Sequence, residues 1–134
     1  MNNIQFATAI HILTLLATTK DSLSSVYIAG SIHINPAMVR KSLSILSAHG
    51  LVETREGKGG GASLAKSADL ILLSDIYRTV NNGPLLGKLN SPNPDCKTGK
   101  QINNNLLELY SQADNALINK LSTITLADFC KKFN

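Results

Sequence analysis

Hydrophobic residues in the first third of the chain recur every three or four positions, which is the spacing of one face of an α-helix. The pattern predicts a first helix over residues 4–18, where apolar positions are dense enough for burial on two sides. A short helix that ends at Ile32 can begin at Ser24 or at Ser25, because either hydroxyl can accept a hydrogen bond from a free N–H of the first turn.

A second short helix is predicted after a break of about three residues. Asn35 is a favourable N-cap, and Pro36 at the first helical position has no N–H that could be left unpaired. Gly50 suits the left-handed conformation that ends a helix. The helix has two different faces: Val39, Leu43 and Leu46 are apolar, and Ala37, Arg40, Lys41 and Ser44 are free to face outward.

The periodicity changes from helical to alternating after this second short helix. Residues 51–55 and 62–65 alternate between apolar and polar side chains, which is typical of half-buried β-strands. Residues 56–61 join them and contain four glycines, so we predict a two-stranded hairpin with a flexible tip.

The rest of the chain is predicted to be helical apart from one loop. A helix over residues 74–81 is followed by a loop over residues 84–100, which contain three of the four prolines. A long helix is expected from about residue 101 to residue 121. Thr125 and Asp128 then match a capping box, in which each side chain bonds the backbone N–H of the other, so a short last helix follows.

Two short helices, the turn between them and a hairpin directly after the second form the pattern of a winged helix-turn-helix. The fold class that we predict is mainly α, with a two-stranded β wing and a long C-terminal dimerisation helix. Residues 1–82 are expected to form a DNA-binding domain, residues 83–100 a loop, and residues 101–134 the dimerisation helix with the short last helix.

The distribution of charge indicates a polyanionic partner. The formal net charge is +4, and five basic residues against two acidic ones lie between His33 and Lys66. An outward arginine can read a guanine edge or hold a phosphate, and wing glycines allow close approach to a minor groove. The predicted contacts to double-stranded DNA are Ser24, Ser25, Pro36, Ala37, Arg40, Lys41, Ser44, Arg55 and Lys58.

An apolar stripe along the predicted long helix indicates a second contact surface. Its positions step by four and three residues, so they lie on one face. Either the stripe pairs with the same stripe of another copy or it packs inside its own chain, and we predict a homodimer. The predicted dimerisation residues are Ile102, Leu106, Leu109, Ala113 and Ala116, and residues 4–17 of the first helix are expected to contribute to the same interface.

Composition argues against several other function classes. Aromatic residues make up 4% of the chain, too few for a platform that stacks single-stranded bases. No stretch approaches the roughly 20 apolar residues of a membrane span, and the start lacks the basic residues of a secretion signal, so we expect a cytoplasmic protein without a membrane partner. Catalytic and metal-ligand spacings are not visible, so we expect no enzyme, no cofactor and no metal. The alternative function is a winged-helix protein-interaction module that does not bind DNA.

The sequence from residue 29 to residue 77 resembles the Rrf2 family of winged-helix transcriptional regulators. The most specific parts are Gly50-Leu51-Val52, the glycines between 57 and 61, Leu64-Ala65-Lys66 and Leu73-Ser74-Asp75-Ile76. The resemblance implies a dimer paired through its long helix, and usually repression of transcription.

The chain departs from the family pattern at two positions of the wing. Family members usually have arginine just before the first wing glycine and an aromatic residue after the last, and this chain has Glu56 and Ala62 there. A carboxylate beside DNA repels phosphate, so Arg55 or Lys58 is expected to make the wing contact instead.

The cysteines set the expectations for what the regulator senses. Family members that bind an iron–sulfur cluster carry three cysteines in the loop before the long helix, whereas this loop has only Cys96, so we expect no cluster. Cys96 lies near Lys97 and Lys100, which favour a reactive thiolate, and is therefore the candidate for redox sensing. The alternatives are an idle surface cysteine, with control by a small-molecule effector or a protein co-regulator. Cys130 is expected to be buried.

Overall fold

Six α-helices and one two-stranded sheet make up residues 4–80 and 83–133, the part of the chain that the computed structural model describes. The helices are α1 (Phe6–Ala17), α2 (Ser25–Ile32), α3 (Pro36–Ala48), α4 (Leu73–Val80), α5 (Lys97–Leu121) and α6 (Leu126–Cys130). The strands β1 (Val52–Arg55) and β2 (Gly61–Leu64) pair antiparallel, and a single 3₁₀ turn spans Ala68–Leu70. The predicted fold class, a mainly helical winged helix-turn-helix, is confirmed.

The hydrophobic core is built around α1. Ala9, Ile12 and Leu13 of this helix are completely buried. α2, α3, the hairpin, α4 and α6 each add side chains to the same core. Burying an isoleucine or leucine side chain contributes about 1.5–3 kcal/mol. The residues of α1 therefore hold the other elements of this core together.

Side-chain caps explain where the helices begin. The Ser24 side chain accepts a hydrogen bond from the Tyr27 N–H, so of the two serines that could cap α2 it is Ser24 that does. The capping box at α6 is confirmed: Thr125 Oγ1 accepts from the Asp128 N–H at 2.9 Å, and the Asp128 carboxylate accepts from the Thr125 N–H at 3.0 Å. These two hydrogen bonds also hold the pKa of Asp128 below its usual value.

The long helix begins earlier than the hydrophobic pattern predicts, at Lys97 rather than at about Gln101. Cys96 caps this helix, and a turn closed by the side chain of Asn93 precedes it. Gly99 is needed in the first turn because a β-carbon there would come within 2.9 Å of Pro92. Because residues 97–100 carry no apolar side chain, the hydrophobic period does not reveal this first turn. The predicted end of α4 at Asn81 lies outside the described residues.

The last helix returns to the core rather than extending away with α5. Leu126 is completely buried, and its N–H donates to the carbonyl oxygen of Ile71 at 2.7 Å. The N–H of Leu73 donates to the carbonyl oxygen of Ile124 at 2.9 Å, which completes the link. α6 therefore belongs to the same packed unit as α1, whereas α5 lies against α4 and has no fully buried residue.

Candidate nucleic-acid interface

The second helix of the helix-turn-helix, α3, presents a polar face to solvent. The Asn35 side chain accepts from the Ala37 N–H at 2.8 Å, and Pro36 occupies the first turn. Val39, Leu43 and Leu46 are buried, which fixes the rotation of the helix about its axis. The opposite face is exposed, with Ala37, Arg40, Lys41 and Ser44. The helix therefore offers cations and hydroxyls on one side while its apolar side is anchored.

The first helix of the helix-turn-helix, α2, brings its N-terminus to the same surface. Ser24 is exposed at the cap and Ser25 is half-buried in the first turn. The helix ends at His33, which adopts a left-handed backbone with φ of 67° and so makes the turn into α3. The positive end of the helix dipole thus lies beside the serine hydroxyls.

The wing is fastened directly to the segment before α2. Leu23 and Ala62 exchange backbone hydrogen bonds of 3.0 and 2.7 Å. Glycine is required at position 61, because φ is +138° there and a β-carbon would come within 2.7 Å of the Leu23 carbonyl oxygen. These contacts tie the wing to the segment that leads into α2, so the two elements lie side by side.

A cleft of about 260 Å³ lies where α2, α3 and the wing meet. Its polar lining consists of Ser25, Arg40, Ser44, Thr54, Arg55 and Glu56, and we call it the reading cleft. Residues from three elements, far apart in sequence, thus share one concave surface. The other predicted contacts lie outside its lining, and all of them except Pro36 are exposed: Ser24, Pro36, Ala37, Lys41 and Lys58.

The cations of this surface are free to meet an external anion. In the part of the chain that the structure describes, Arg40, Lys41, Arg55 and Lys58 form no ion pair. Glu56 lines the reading cleft together with Arg40 and Arg55, so it is the one feature of the lining that opposes a polyanion.

Sequence reasoning did not single out Tyr27, which lies in the first turn of α2 and is 59% exposed. Its phenol hydroxyl is a hydrogen-bond donor of the kind that commonly contacts phosphate oxygens. The signal was available in the sequence as an aromatic residue three positions after a capping serine. It was missed because an apolar ring is expected to pack inside.

The predicted dimerisation stripe is only partly covered by its own chain. No residue of the 25-residue helix α5 is buried. Ile102, Leu109 and Ala116 are exposed, and Leu106 and Ala113 are half-buried. The helix is held by polar contacts to the preceding loop, including Tyr110 OH to the Leu86 carbonyl at 3.3 Å. The stripe is therefore available to another molecule.

The two cysteines lie in different environments. Cys96 is exposed at the cap of α5, where its Sγ accepts from the Gly99 N–H at 3.3 Å. Cys130 is half-buried rather than fully buried as expected, because α6 is short and ends at this residue. Burial raises the pKa of the Cys130 thiol, and a hydrogen bond with the Thr14 side chain acts in the opposite direction.

Within residues 4–80 and 83–133, no three His, Cys, Asp or Glu side chains are grouped so that they could hold a metal ion. A donor set for an iron–sulfur cluster is thus not present in that part of the chain, since a cluster needs several thiolates. In the same residues, no helix is both long and apolar enough to cross a bilayer.

Comparison with known proteins gives one consistent result. The model of the Rrf2 family, described as iron-dependent transcriptional regulators, matches residues 3–132. The provisionally assigned HTH-type transcriptional regulator YwnA of Bacillus subtilis is 36% identical over 129 residues, which cover 96% of each chain. A solved structure described as that of a provisionally assigned DNA-binding protein has a TM-score of 0.75 and 35% identity over 92% of this chain and 97% of its own. CymR, the global cysteine regulator of Bacillus subtilis, has a TM-score of 0.71 at 22% identity and full coverage of both chains, and shows the same fold.

Proposed function

Because the chain belongs to the Rrf2 family of DNA-binding transcriptional regulators, we propose that it acts as a homodimeric repressor that reads a near-palindromic duplex site. It is a regulator and not an enzyme. Its place of action is then the cytoplasm, where bacterial DNA lies. Half-sites are expected about one helical turn apart, roughly 34–36 Å, or a multiple of that distance.

The observation that carries the proposal is the reading cleft. Arg40 and Ser44 of the recognition helix face the same concave surface as Arg55 of the wing. In this proposal Arg40 bonds a guanine edge in the major groove, Ser44 adds a weaker contact, and Lys41 holds a phosphate. Arg55 and Lys58 contact the backbone or the minor groove beside it.

The N-termini of both reading helices complete the proposed contact. The Ser24 hydroxyl already accepts a hydrogen bond from the Tyr27 N–H, but its own proton is free to be donated to a phosphate oxygen. Ser25 and Tyr27 lie in the first turn of the same helix. Pro36 and Ala37 bring the start of α3 towards the backbone, where the helix dipole favours an anion.

Dimerisation is proposed through the apolar stripe of α5. Ile102, Leu107 and Leu109 of α5 are 41%, 55% and 51% exposed, and these apolar side chains stay in water unless another molecule covers them. The same stripe on a second copy is self-complementary, as a twofold interface requires. In this division residues 1–82 read DNA, residues 83–100 connect, and within residues 101–134 it is α5 that pairs.

The proposal is tested by capturing genomic fragments on the purified protein, sequencing them, and measuring the affinity for the enriched fragment at several salt concentrations. If the dimer makes about six phosphate contacts, the plot of log affinity against log salt concentration has a slope of about −5. A slope close to zero, with no enriched fragment, would contradict DNA reading and favour the protein-interaction alternative.

The signal that controls the repressor is proposed separately. Cys96 is exposed and caps α5, so its oxidation would act on the dimerisation helix. Treatment with a mild oxidant, followed by alkylation and mass spectrometry, measures whether Cys96 reacts. The affinity for the enriched genomic fragment, before and after treatment, measures whether oxidation changes DNA binding. No modification, together with unchanged affinity, would remove the redox role and leave an effector or a co-regulator.

A further inference from the structure

A half-open groove of about 500 Å³ lies between α1 and the end of α6, and we call it the α1 groove. Its wall is mainly apolar, with Ile10 and Leu15 on one side and the rings of Phe129 and Phe133 on the other. Among the described residues, no lysine, arginine, aspartate or glutamate lines it. Residues 4–19 as a whole carry no such side chain, although the exposed side of a surface helix is normally polar or charged. This side of α1 therefore has the character of a contact surface.

The apolar stripe of α5 is too small to form a stable interface alone. It offers five residues, whereas a stable protein–protein interface takes about 20–30 residues from each side. A dimer of this chain therefore needs further apolar surface, in a place that the pairing of two stripes leaves open. The α1 groove is such a place, because no described residue of α5 belongs to its lining.

A second apolar surface lies on the side of α5 that faces away from the stripe. Leu107 and Leu109 are two positions apart, and two positions turn a helix by about 200°. Pairing through Leu109 therefore leaves Leu107 uncovered. Because Leu107 is 55% exposed in its own chain, it needs a different partner surface.

Two leucines of the preceding loop lie on the same side of α5 as Leu107. Tyr110 and Asp114 follow Leu107 at the spacing of one helix face. The Asp114 carboxylate accepts from the Leu85 N–H at 3.1 Å, and the Tyr110 hydroxyl donates to the Leu86 carbonyl oxygen at 3.3 Å. Leu85 and Leu86 are 49% and 52% exposed. Together with Leu107 they form an uncharged surface that we call the leucine patch.

The leucine patch is remote from the α1 groove of its own chain. α5 lies against α4, and Leu121 at its C-terminal end packs against the core. Leu107 precedes Leu121 by about 21 Å along the helix axis. In the part of the chain that the structure describes, none of the three leucines lines the groove. The patch and the groove are thus both open to a second molecule.

We propose that in the homodimer the leucine patch of each copy lies in the α1 groove of its partner. A twofold axis makes the contact reciprocal, so each dimer contains it twice. Patch and groove occur in equal number on every pair of copies, so a second copy is the occupant that leaves neither surface in water. Both are uncharged, so no unpaired charge is buried when they meet. The inference rests on the proposed homodimer and adds the surfaces that its two copies share.

The first experiment measures the dissociation constant of the dimer, by light scattering over a dilution series without DNA. Leu107→Glu places a charge in the patch, and Ala7→Lys places one in the groove from an exposed position. Each should raise the dissociation constant by about tenfold or more, because the charge enters the contact twice per dimer. Leu70→Glu and Ala48→Lys make the same changes at exposed positions outside both surfaces and should dimerise like the wild type. Circular dichroism checks that all four variants fold.

The double variant with Leu107→Glu and Ala7→Lys tests whether patch and groove meet each other. If they do, the new lysine of one copy can pair with the new carboxylate of the other. The double variant should then dimerise about tenfold more tightly than the product of the two single losses predicts. Leu107→Glu combined with Ala48→Lys should show no such recovery.

The possible outcomes separate this inference from the proposed function. A wild-type chain that stays monomeric at every concentration would overturn the proposed homodimer, and this inference with it. A wild-type dimer that neither single variant weakens, or a double variant that only combines the two losses, would overturn this inference alone. The α1 groove would then be left for an effector or a co-regulator. Recovery in the double variant supports the contact even if Leu109→Glu remains a dimer, in which case the stripe alone is wrong.

Discussion

Two helices of this molecule leave much of their surface in water, and they do so with opposite chemistry. α3 buries Val39, Leu43 and Leu46 and exposes cations and hydroxyls. α5 buries no residue at all and exposes large apolar side chains such as Leu107 and Leu109. A polar exposed face suits a hydrated, charged partner, whereas an apolar one is stable only when covered. Exposure alone therefore does not define a binding site; the chemistry of the exposed side chains indicates the partner.

A polar substitution in α5 should have the strongest effect on this contrast between the two helices. Leu109→Glu places a charge in the proposed interface, so we expect monomers in light scattering. Because two linked half-site contacts become one, the affinity for a two-half-site fragment should fall by about 100-fold or more. The chain should still fold, since α5 contributes no buried residue.

Leu70→Glu is the matched control for this change. Leu70 is 63% exposed and Leu109 is 51% exposed, but Leu70 belongs to the 3₁₀ turn and not to α5. The control should stay dimeric and bind DNA normally. A Leu109→Glu protein that remains a dimer would show that the stripe is not the interface.

The next largest effect is expected on the polar side of the comparison. Arg40→Ala removes the proposed guanine contact of the reading cleft and should weaken specific binding by about 1–3 kcal/mol per half-site. Competition assays with unrelated DNA measure non-specific binding, which should change less. Dimerisation should be unaffected.

Lys41→Ala tests the difference between reading a base and holding a phosphate. Lys41 lies outside the reading cleft, so its loss should weaken specific and non-specific binding alike. The salt slope should become shallower by about 1.8, or 0.9 for each of two phosphates. If Arg40→Ala and Lys41→Ala weaken all DNA sequences equally, Arg40 does not read a base.

A smaller and purely conformational effect is expected at the base of the wing. Gly61→Ala combines a φ of +138° with a β-carbon 2.7 Å from the Leu23 carbonyl oxygen, so the wing must shift away from α2. We expect a loss of about 1–3 kcal/mol in the free energy of unfolding and weaker DNA binding, without change in dimerisation. Thermal or urea unfolding and binding isotherms measure both.

Gly59→Ala separates backbone strain from collision. Gly59 also has a positive φ, +78°, but a β-carbon there meets nothing within 4 Å. It should cost less stability than Gly61→Ala and leave the wing in place. Equal effects of the two substitutions would mean that the contact with Leu23 is not what positions the wing.

The two helices also differ in how far the sequence predicts them. The polar and apolar faces of α3 follow from its period, and Asn35 and Pro36 set its start, so the helix and its exposed residues were predictable. For α5 the period predicts the stripe but not the first turn, because residues 97–100 carry no apolar side chain. Four residues of the reading cleft were singled out from the sequence, namely Ser25, Arg40, Ser44 and Arg55, but Thr54 was not, and neither was the grouping of these residues. The hydrogen bonds between Leu23 and Ala62 that bring the wing to α2 depend on tertiary packing.

The smallest expected effect, and the one that bears most directly on the chemistry of the reading cleft, is a gain. Glu56 is the acidic residue of that lining and directly follows Arg55 in the chain. Glu56→Arg removes a repulsion and adds a cation, so DNA affinity should rise by a few-fold and the salt slope should steepen by about 1.8 for the dimer. Glu53→Arg makes the same change of charge on β1 outside the cleft and should raise DNA affinity less. Neither variant should change dimerisation. If both substitutions raise affinity equally, net charge explains the gain; if Glu56→Arg lowers it, the carboxylate itself takes part in reading, and the polar face of the molecule selects its partner by more than attraction to phosphate.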